Sequence, residues 1–153
     1  GITEPKATFS PCFGGPFLTL HPIRYAELLK DKINQHKSNV YLVNTGWIGG
    51  SATSGAKRIS IQNTRAMIKA ILNGSIEHSE FQIEPVFGLN CPTDLADVDS
   101  EILNPRLAWN NQVEYDRHAY NLANLFIENF KQFGSSVSYL YKAGPQKQNE
   151  IAM

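Results

Sequence analysis

Residues 40–60 read VYLVNTGWIGGSATSGAKRIS, an apolar run, then a glycine-rich loop, then a basic pair. Val40-Tyr41-Leu42-Val43 is short, apolar and β-branched at both ends. Ser38-Asn39 and Asn44-Thr45-Gly46 bound it, so it predicts a buried strand. Gly46 to Gly55 predicts a loop, and Arg58 to Ser60 a brief extended piece. Gln62 to Asn73 then predicts a helix, with Gly74 just past its end as the stop signal. Ala66, Met67, Ile68, Ala70, Ile71 and Leu72 cover most of that helix's circumference, so packing on more than one side is expected.

Strand, glycine loop, basic residues and helix is the order in which backbone N–H groups are gathered for phosphate. Gly50 and Gly55 stand at the G-x-x-x-x-G spacing of a P-loop, but Ala56 replaces the lysine, with Lys57-Arg58 behind it. No Ser or Thr follows directly to hold Mg²⁺. Two readings of the loop are open: a nucleotide contact, or a surface loop whose glycines only permit the turn. Arg58 leaves the loop where a guanidinium reaches phosphate or ribose or stacks on a base; the plainer alternative is a salt-bridged arginine. Thr64 falls in the first helical turn, where a hydroxyl caps the helix or meets a ligand. Trp47 either stacks on a base or anchors the loop into the core.

Working outward, Pro22 to His36 predicts a helix. Pro22 suits its first turn, and Tyr25, Leu28, Leu29 and Ile33 form one apolar face. Gly1 to Gly15 reads as loop. Phe81 to Glu84 alternates as a strand does, and Val86 to Leu89 would continue it past Pro85. Residues 90–111 carry Pro92, Pro105 and several Asp and Asn, and read mostly as loop. A long helix is expected from Gln112 to Phe133, stopped by Gly134, with Tyr115, Ala119, Leu122, Phe126, Phe130 and Phe133 on one face. From Lys142 onward a polar, frayed tail is expected. Helices alternate with thin strand content, which predicts a mixed α/β or α+β class whose partner strands lie elsewhere.

With 153 residues, 42% of them hydrophobic, the chain is long enough to bury a core. Fourteen basic side chains balance fourteen acidic ones, which argues against a nucleic-acid binder. No apolar run reaches the roughly 20 residues of a membrane helix. No signal peptide is visible, which says little, because Gly1 need not be the gene's first residue. Cys12 and Cys91 are far apart and lack metal spacing, so two reduced thiols in a cytoplasmic protein are expected over one disulfide. His21, His36, His78 and His118 show no ligand spacing: His21 reads as part of a helix start and the others as surface. Asp94, Asp97, Asp99 and Glu101 lack the spacing of a calcium loop and read as a solvated stretch. No metal site, and no nucleophile with its base, is expected in this segment.

Several segments together resemble ATP-dependent phosphoenolpyruvate carboxykinases. They begin with Gly1-Ile2-Thr3-Glu4-Pro5, Ala7-Thr8-Phe9-Ser10 and Cys12-Phe13-Gly14, then Leu20-His21-Pro22 with Tyr25-Ala26-Glu27. Asn44-Thr45-Gly46-Trp47, Lys57-Arg58-Ile59-Ser60, Thr64-Arg65-Ala66 and Ala70-Ile71-Leu72-Asn73-Gly74 follow. Pro85-Val86-Phe87-Gly88-Leu89 and Ser100-Glu101-Ile102-Leu103-Asn104-Pro105-Arg106 complete the set, so the resemblance runs to about Phe133.

The resemblance implies the C-terminal part of the nucleotide-binding domain of a longer enzyme. Residues 1–15 would be the end of a mobile lid and its loop, 16–141 the domain part, and 142–153 a polar tail. The enzyme would convert oxaloacetate and ATP to phosphoenolpyruvate, ADP and CO₂, a gluconeogenic step. Its P-loop, Mg²⁺ and Mn²⁺ ligands and oxaloacetate-binding residues would lie upstream, in the partner part of the same enzyme. By the family motif, Arg58, Ile59 and Thr64 contact ATP on the base and ribose side. Two departures bear on that carry-over: Ala56 stands where the family has Gly, and Ser51 to Ser54 lengthens the loop. A start within the lid motif fits one chain of a nicked or split enzyme. The competing expectation is an isolated, non-catalytic nucleotide-binding fragment.

Overall fold

The structure, a computed structural model, describes residues 8–10 and 14–145. It divides into two compact units, Gly1–Leu42 and Val43–Met153. The lid motif at 1–5, Cys12 and the tail beyond Pro145 lie outside the described residues.

The first unit holds α1, Pro22–His36, with the bounds its sequence predicts. Pro22 occupies the first turn, and His21 caps the helix: its Nδ1 accepts the Ile23 N–H at 3.4 Å. Lys37 ends it in the left-handed region, at φ 52°. None of its residues is buried; Leu28 and Leu29 of the expected apolar face are exposed. The segment after it departs from expectation. Val40 to Val43 belongs to no strand, and Val40 and Leu42 are 63% and 81% exposed. The run has the composition of a buried strand, but a strand exists only where a neighbour completes its ladder, and none of the described residues does so.

Among its described residues the second unit contains two antiparallel hairpins and three α-helices. In the first hairpin β1, Trp47–Ile48, pairs with β2, Lys57–Arg58, in the register Trp47 to Arg58 and Ile48 to Lys57. Helix α2, Ile61–Leu72, follows at once. The Ser60 Oγ accepts the Asn63 N–H at 3.0 Å and caps it, and Gly74 turns the chain away at φ 75°. The expectation that α2 packs on several sides is not met among the described residues: Ala70 is its buried residue, whereas Ile61, Ile68 and Leu72 are exposed.

In the second hairpin β3, Phe81–Ile83, pairs with β4, Asn90–Pro92. Val86 to Leu89 therefore does not continue β3 but turns back to it. Glu84 causes the reversal. Its Oε2 accepts the N–H groups of Val86 and Phe87 at 3.0 and 2.6 Å, and its own N–H donates to the Leu89 carbonyl at 2.8 Å. A short helix α3, Ser100–Leu103, interrupts the expected loop.

Helix α4, Gln112–Phe130, is capped by the Asn111 Oδ1, which accepts from Val113 and Glu114, and tightens into a 3-10 turn, Lys131–Phe133, before Gly134. Ala119 and Ala123 of α4 pack with Val86, and Phe87, Tyr115 and Tyr120 close around them. Of the face expected on α4, Ala119 is buried but Leu122 and Phe126 are exposed. The chain then runs on in a further 3-10 segment, Ser135–Ala143, which buries Val137. Lys142 thus lies within this segment.

The described residues therefore mix helix and sheet, with antiparallel pairing only. No helix among them is long and apolar enough to cross a membrane.

Candidate functional site

The loop that joins β1 to β2 is organised by its own polar groups. Gly49 and Gly55 adopt positive φ, 77° and 76°, and a 3-10 turn, Ala52–Ser54, lies between them. The Ser54 N–H and Oγ both donate to the Ser51 carbonyl, at 3.1 and 2.9 Å. A phosphate-cradling loop would leave such amides for the ligand and run directly into a helix N-terminus. Here β2 stands between the loop and α2. The glycine spacing of the P-loop near miss belongs instead to a hairpin turn. Ala56 is not among the positive-φ residues, so the replacement of the family's Gly carries no strain.

Arg58 emerges at the end of β2. Its Nε donates to the Thr45 carbonyl at 3.1 Å, and its guanidinium carbon lies 5.5 Å from the centre of the Trp47 ring. Trp47 and Arg58 are register partners, so the hairpin itself stacks one on the other. This fixes the plane of the fork while both Nη groups stay without a hydrogen-bond partner among the described residues. Trp47 thus neither sinks into the core nor stands apart; it supports the arginine, a role visible in sequence only once the register is known.

Ile59 is 8% exposed, and its N–H donates to the Gly46 carbonyl at 2.8 Å, which lengthens the hairpin by one bond. Its side chain therefore faces the packing, with only a narrow margin at the surface. Thr64 is half-buried, and its N–H bonds to the Ser60 carbonyl at 3.0 Å. It is thus one turn beyond the cap. The cap is Ser60, signalled by a serine just before the apolar run. Thr64 opens a shallow apolar groove along α2 that continues past Arg65, Ile68, Lys69 and Leu72. The three residues of the motif thus lie on one short path from β2 into α2, with an exposed cation, a buried aliphatic group and a half-buried hydroxyl in sequence.

The acidic stretch is more structured than expected. Asp99 precedes α3 and accepts from the Asn63 amide at 3.3 Å, which ties α3 to the first turn of α2. Cys91 is a free, half-buried thiol whose pKa is pushed up, first by burial and then by the Glu84 carboxylate. A thiol shifted in that direction holds its proton more firmly than a free one. Tyr115 is pushed up to about 12, chiefly by burial, with Glu84 and Asp116 adding to it. His118 does not stand alone at the surface but lies against Trp109, with ring centres 5.2 Å apart. Among the described residues no three His, Cys, Asp or Glu side chains converge as a metal donor set.

A family model for phosphoenolpyruvate carboxykinase matches residues 1–101. A phosphoenolpyruvate carboxykinase (ATP) of Caldanaerobacter subterraneus is 49% identical over 146 residues, which is 95% of this chain and 28% of that protein. The Saccharomyces cerevisiae protein of the same name is 47% identical across 95% of this chain and 27% of its own length. That of Campylobacter lari is 54% identical over 133 residues, 87% of this chain and 25% of its own length. The chain belongs to the phosphoenolpyruvate carboxykinase family. It spans about a quarter of the length of the curated relatives it matches.

Proposed function

We propose that this chain is the C-terminal portion of an ATP-dependent phosphoenolpyruvate carboxykinase and forms the base and ribose wall of its ATP pocket. The observation that carries the reading is Arg58, stacked on Trp47 and held at Nε by the Thr45 carbonyl, with its Nη groups available to a ligand. A pre-oriented planar fork of this kind suits ribose hydroxyls and phosphate oxygens. Thr64 adds a hydroxyl from α2, and Ile59 the apolar margin beside it. Residues 16–141 would be the domain part, residues 1–15 the end of the lid, and residues 142–153 a tail.

In the complete cytoplasmic enzyme, oxaloacetate loses CO₂, and the resulting enolate oxygen attacks the γ-phosphate of ATP to give phosphoenolpyruvate and ADP. The work of this segment is to bind and orient the nucleotide, so that the γ-phosphate meets a substrate held by the upstream part. Metal ions would neutralise phosphate charge on upstream ligands, and nothing in this segment acts through them. The length of the relatives supports an upstream partner, and so do the exposed apolar residues Val40 and Leu42 in the first unit and Ile61 and Leu72 in the second.

The test is Arg58→Ala in the complete enzyme. Losing hydrogen bonds to a charged group costs about 1.5–3 kcal/mol, so KM for ATP should rise by roughly ten- to a hundredfold. The fold should be unchanged, because the guanidinium contributes one hydrogen bond to the described structure. Arg58→Lys should recover only part of the loss, since a lysine has no fork. An unchanged KM for ATP rejects the assignment. If the 153-residue chain alone binds ATP weakly and turns nothing over, the site is still the one described. Carboxykinase turnover by that chain alone would refute the division of labour.

A further inference from the structure

Between α3 and α4 the chain makes a tight turn. The Leu107 N–H donates to the Asn104 carbonyl at 3.0 Å, and the Trp109 N–H to the Arg106 carbonyl at 3.4 Å. Both ends of this turn are clamped to the first turns of α4. At one end Arg106 forks onto Asp116, with Nε to Oδ1 at 2.8 Å and Nη2 to Oδ2 at 2.9 Å. Its remaining Nη1 donates to the Gln112 Oε1 at 2.7 Å. At the other end the Trp109 ring meets Tyr115 edge-on at 5.9 Å and lies 5.2 Å from His118.

Ala108 sits between the two clamps, and its carbonyl approaches the loop of the first hairpin. A Cβ on Gly49 would fall 2.8 Å from the Ala108 oxygen, and Gly49 itself has a φ of 77°. Gly49 is the first residue after β1, where the loop leaves the hairpin that carries Arg58. The turn on α4 thus limits how the loop can sit.

We infer that Arg106 is a positioning residue for the nucleotide loop: it fixes the turn at 104–109 on α4 so that the Ala108 carbonyl buttresses Gly49. This rests on the reading of Arg58 as a nucleotide contact. Gln112 and Asp116 are one turn apart on the same face of α4, and a planar guanidinium spans both with three donors. A lysine would reach one of them as a point charge and leave the turn free to rock. Both partners of the ion pair are well exposed, with side chains at 42% and 38%, so screening makes the Coulomb attraction small and the geometry of the fork the larger effect.

The experiment is Arg106→Lys in the full-length carboxykinase, beside Arg58→Ala. We expect KM for ATP to rise about fivefold to tenfold, with kcat and KM for oxaloacetate unchanged. Amide exchange over 48–59 should quicken about tenfold while 113–123 keeps its protection. Gly49→Ala attacks the same contact from the loop side and should give the same pattern. Unchanged exchange over 48–59 overturns the inference, and so does an equal rise in both KM values with protection lost along α4, which would mark a merely structural arginine. If Arg58→Ala weakens ATP binding and Arg106→Lys alters neither KM nor exchange, the positioning role falls alone. If exchange over 48–59 quickens but neither variant changes KM for ATP, the nucleotide reading of the loop falls and the functional claim for Arg106 with it.

Discussion

The two hairpins of the second unit share a plan and differ in where their tips go. Each has short antiparallel strands, two residues long in β1 and β2 and three in β3 and β4. The tip between β3 and β4 is pulled inward: Glu84 gathers its amides, and Val86, 3% exposed, plugs onto Ala119 and Ala123 of α4. The tip between β1 and β2 carries hydroxyls that bond one another, and its close approach to the rest of the unit is Gly49 against Ala108. One hairpin is an anchor. The other presents Arg58 and is steadied from behind. The difference lies in which side chains the tips carry, since an apolar tip is driven into the core and a hydroxyl tip is already satisfied in water.

The largest effect that can break this comparison belongs at Ala123, which is fully buried at 0% exposure. Ala123→Leu should cost about 1–3 kcal/mol, because added methylenes force off-rotamer packing against Val86. Ala52→Leu at the other tip should stay within about 0.5 kcal/mol. Urea unfolding of the two variants measures both, and equal losses would mean the first loop is packed as firmly as the second. A finer contrast uses two glycines of equal local geometry. Gly88 and Gly55 have φ of 66° and 76°, and a Cβ at either meets nothing within 4 Å. Alanine at each therefore adds only backbone strain, about 1 kcal/mol. Gly88→Ala should lower global stability by that amount. Gly55→Ala should show mostly as faster amide exchange around Ser54, because a loop held mainly by its own bonds opens without unfolding the rest.

The helices were legible because their signals are local. Pro22 and His21 mark one start, Gly74 and Gly134 mark two stops, and the structure follows each to within a few residues. Strand pairing was not legible, since it depends on a partner that local sequence does not name. Val40 to Val43 has the composition of a strand and no ladder among the described residues. Trp47-Ile48 looks like loop, and Arg58 only like the start of a brief extended piece, yet Trp47-Ile48 pairs with Lys57-Arg58. Val86 reads as strand and is instead the most tightly packed residue of a turn, because the signal lay in Glu84, whose carboxylate bonds two amides ahead of it. At the candidate site the motif named Arg58, Ile59 and Thr64. The register that sets Trp47 under Arg58, and the Arg106 fork behind Gly49, join residues distant in sequence and needed coordinates.

The smallest predicted effect tests how the steadied hairpin is held. The hydrogen bond from Arg106 keeps the Asp116 carboxyl below its ordinary value of 3.8, against a modest opposing effect of desolvation. A carboxylate depressed in the folded state contributes stability that is fully present above its unfolded pKa and is lost as pH falls through its folded pKa. The gap in urea midpoint between the native chain and Asp116→Asn should therefore be full at neutral pH and close as pH drops below about 4. Exposure of both partners keeps the gap small even at its widest. Asparagine retains one acceptor oxygen for the fork but no charge. A gap that closes in acid means charge strengthens the grip on the turn; no gap at any pH means hydrogen-bond geometry alone holds it. In the second case Asp116→Asn should also leave amide exchange over 48–59 unchanged, and the steadying of the loop between β1 and β2 would depend on the shape of the guanidinium and not on its ion pair.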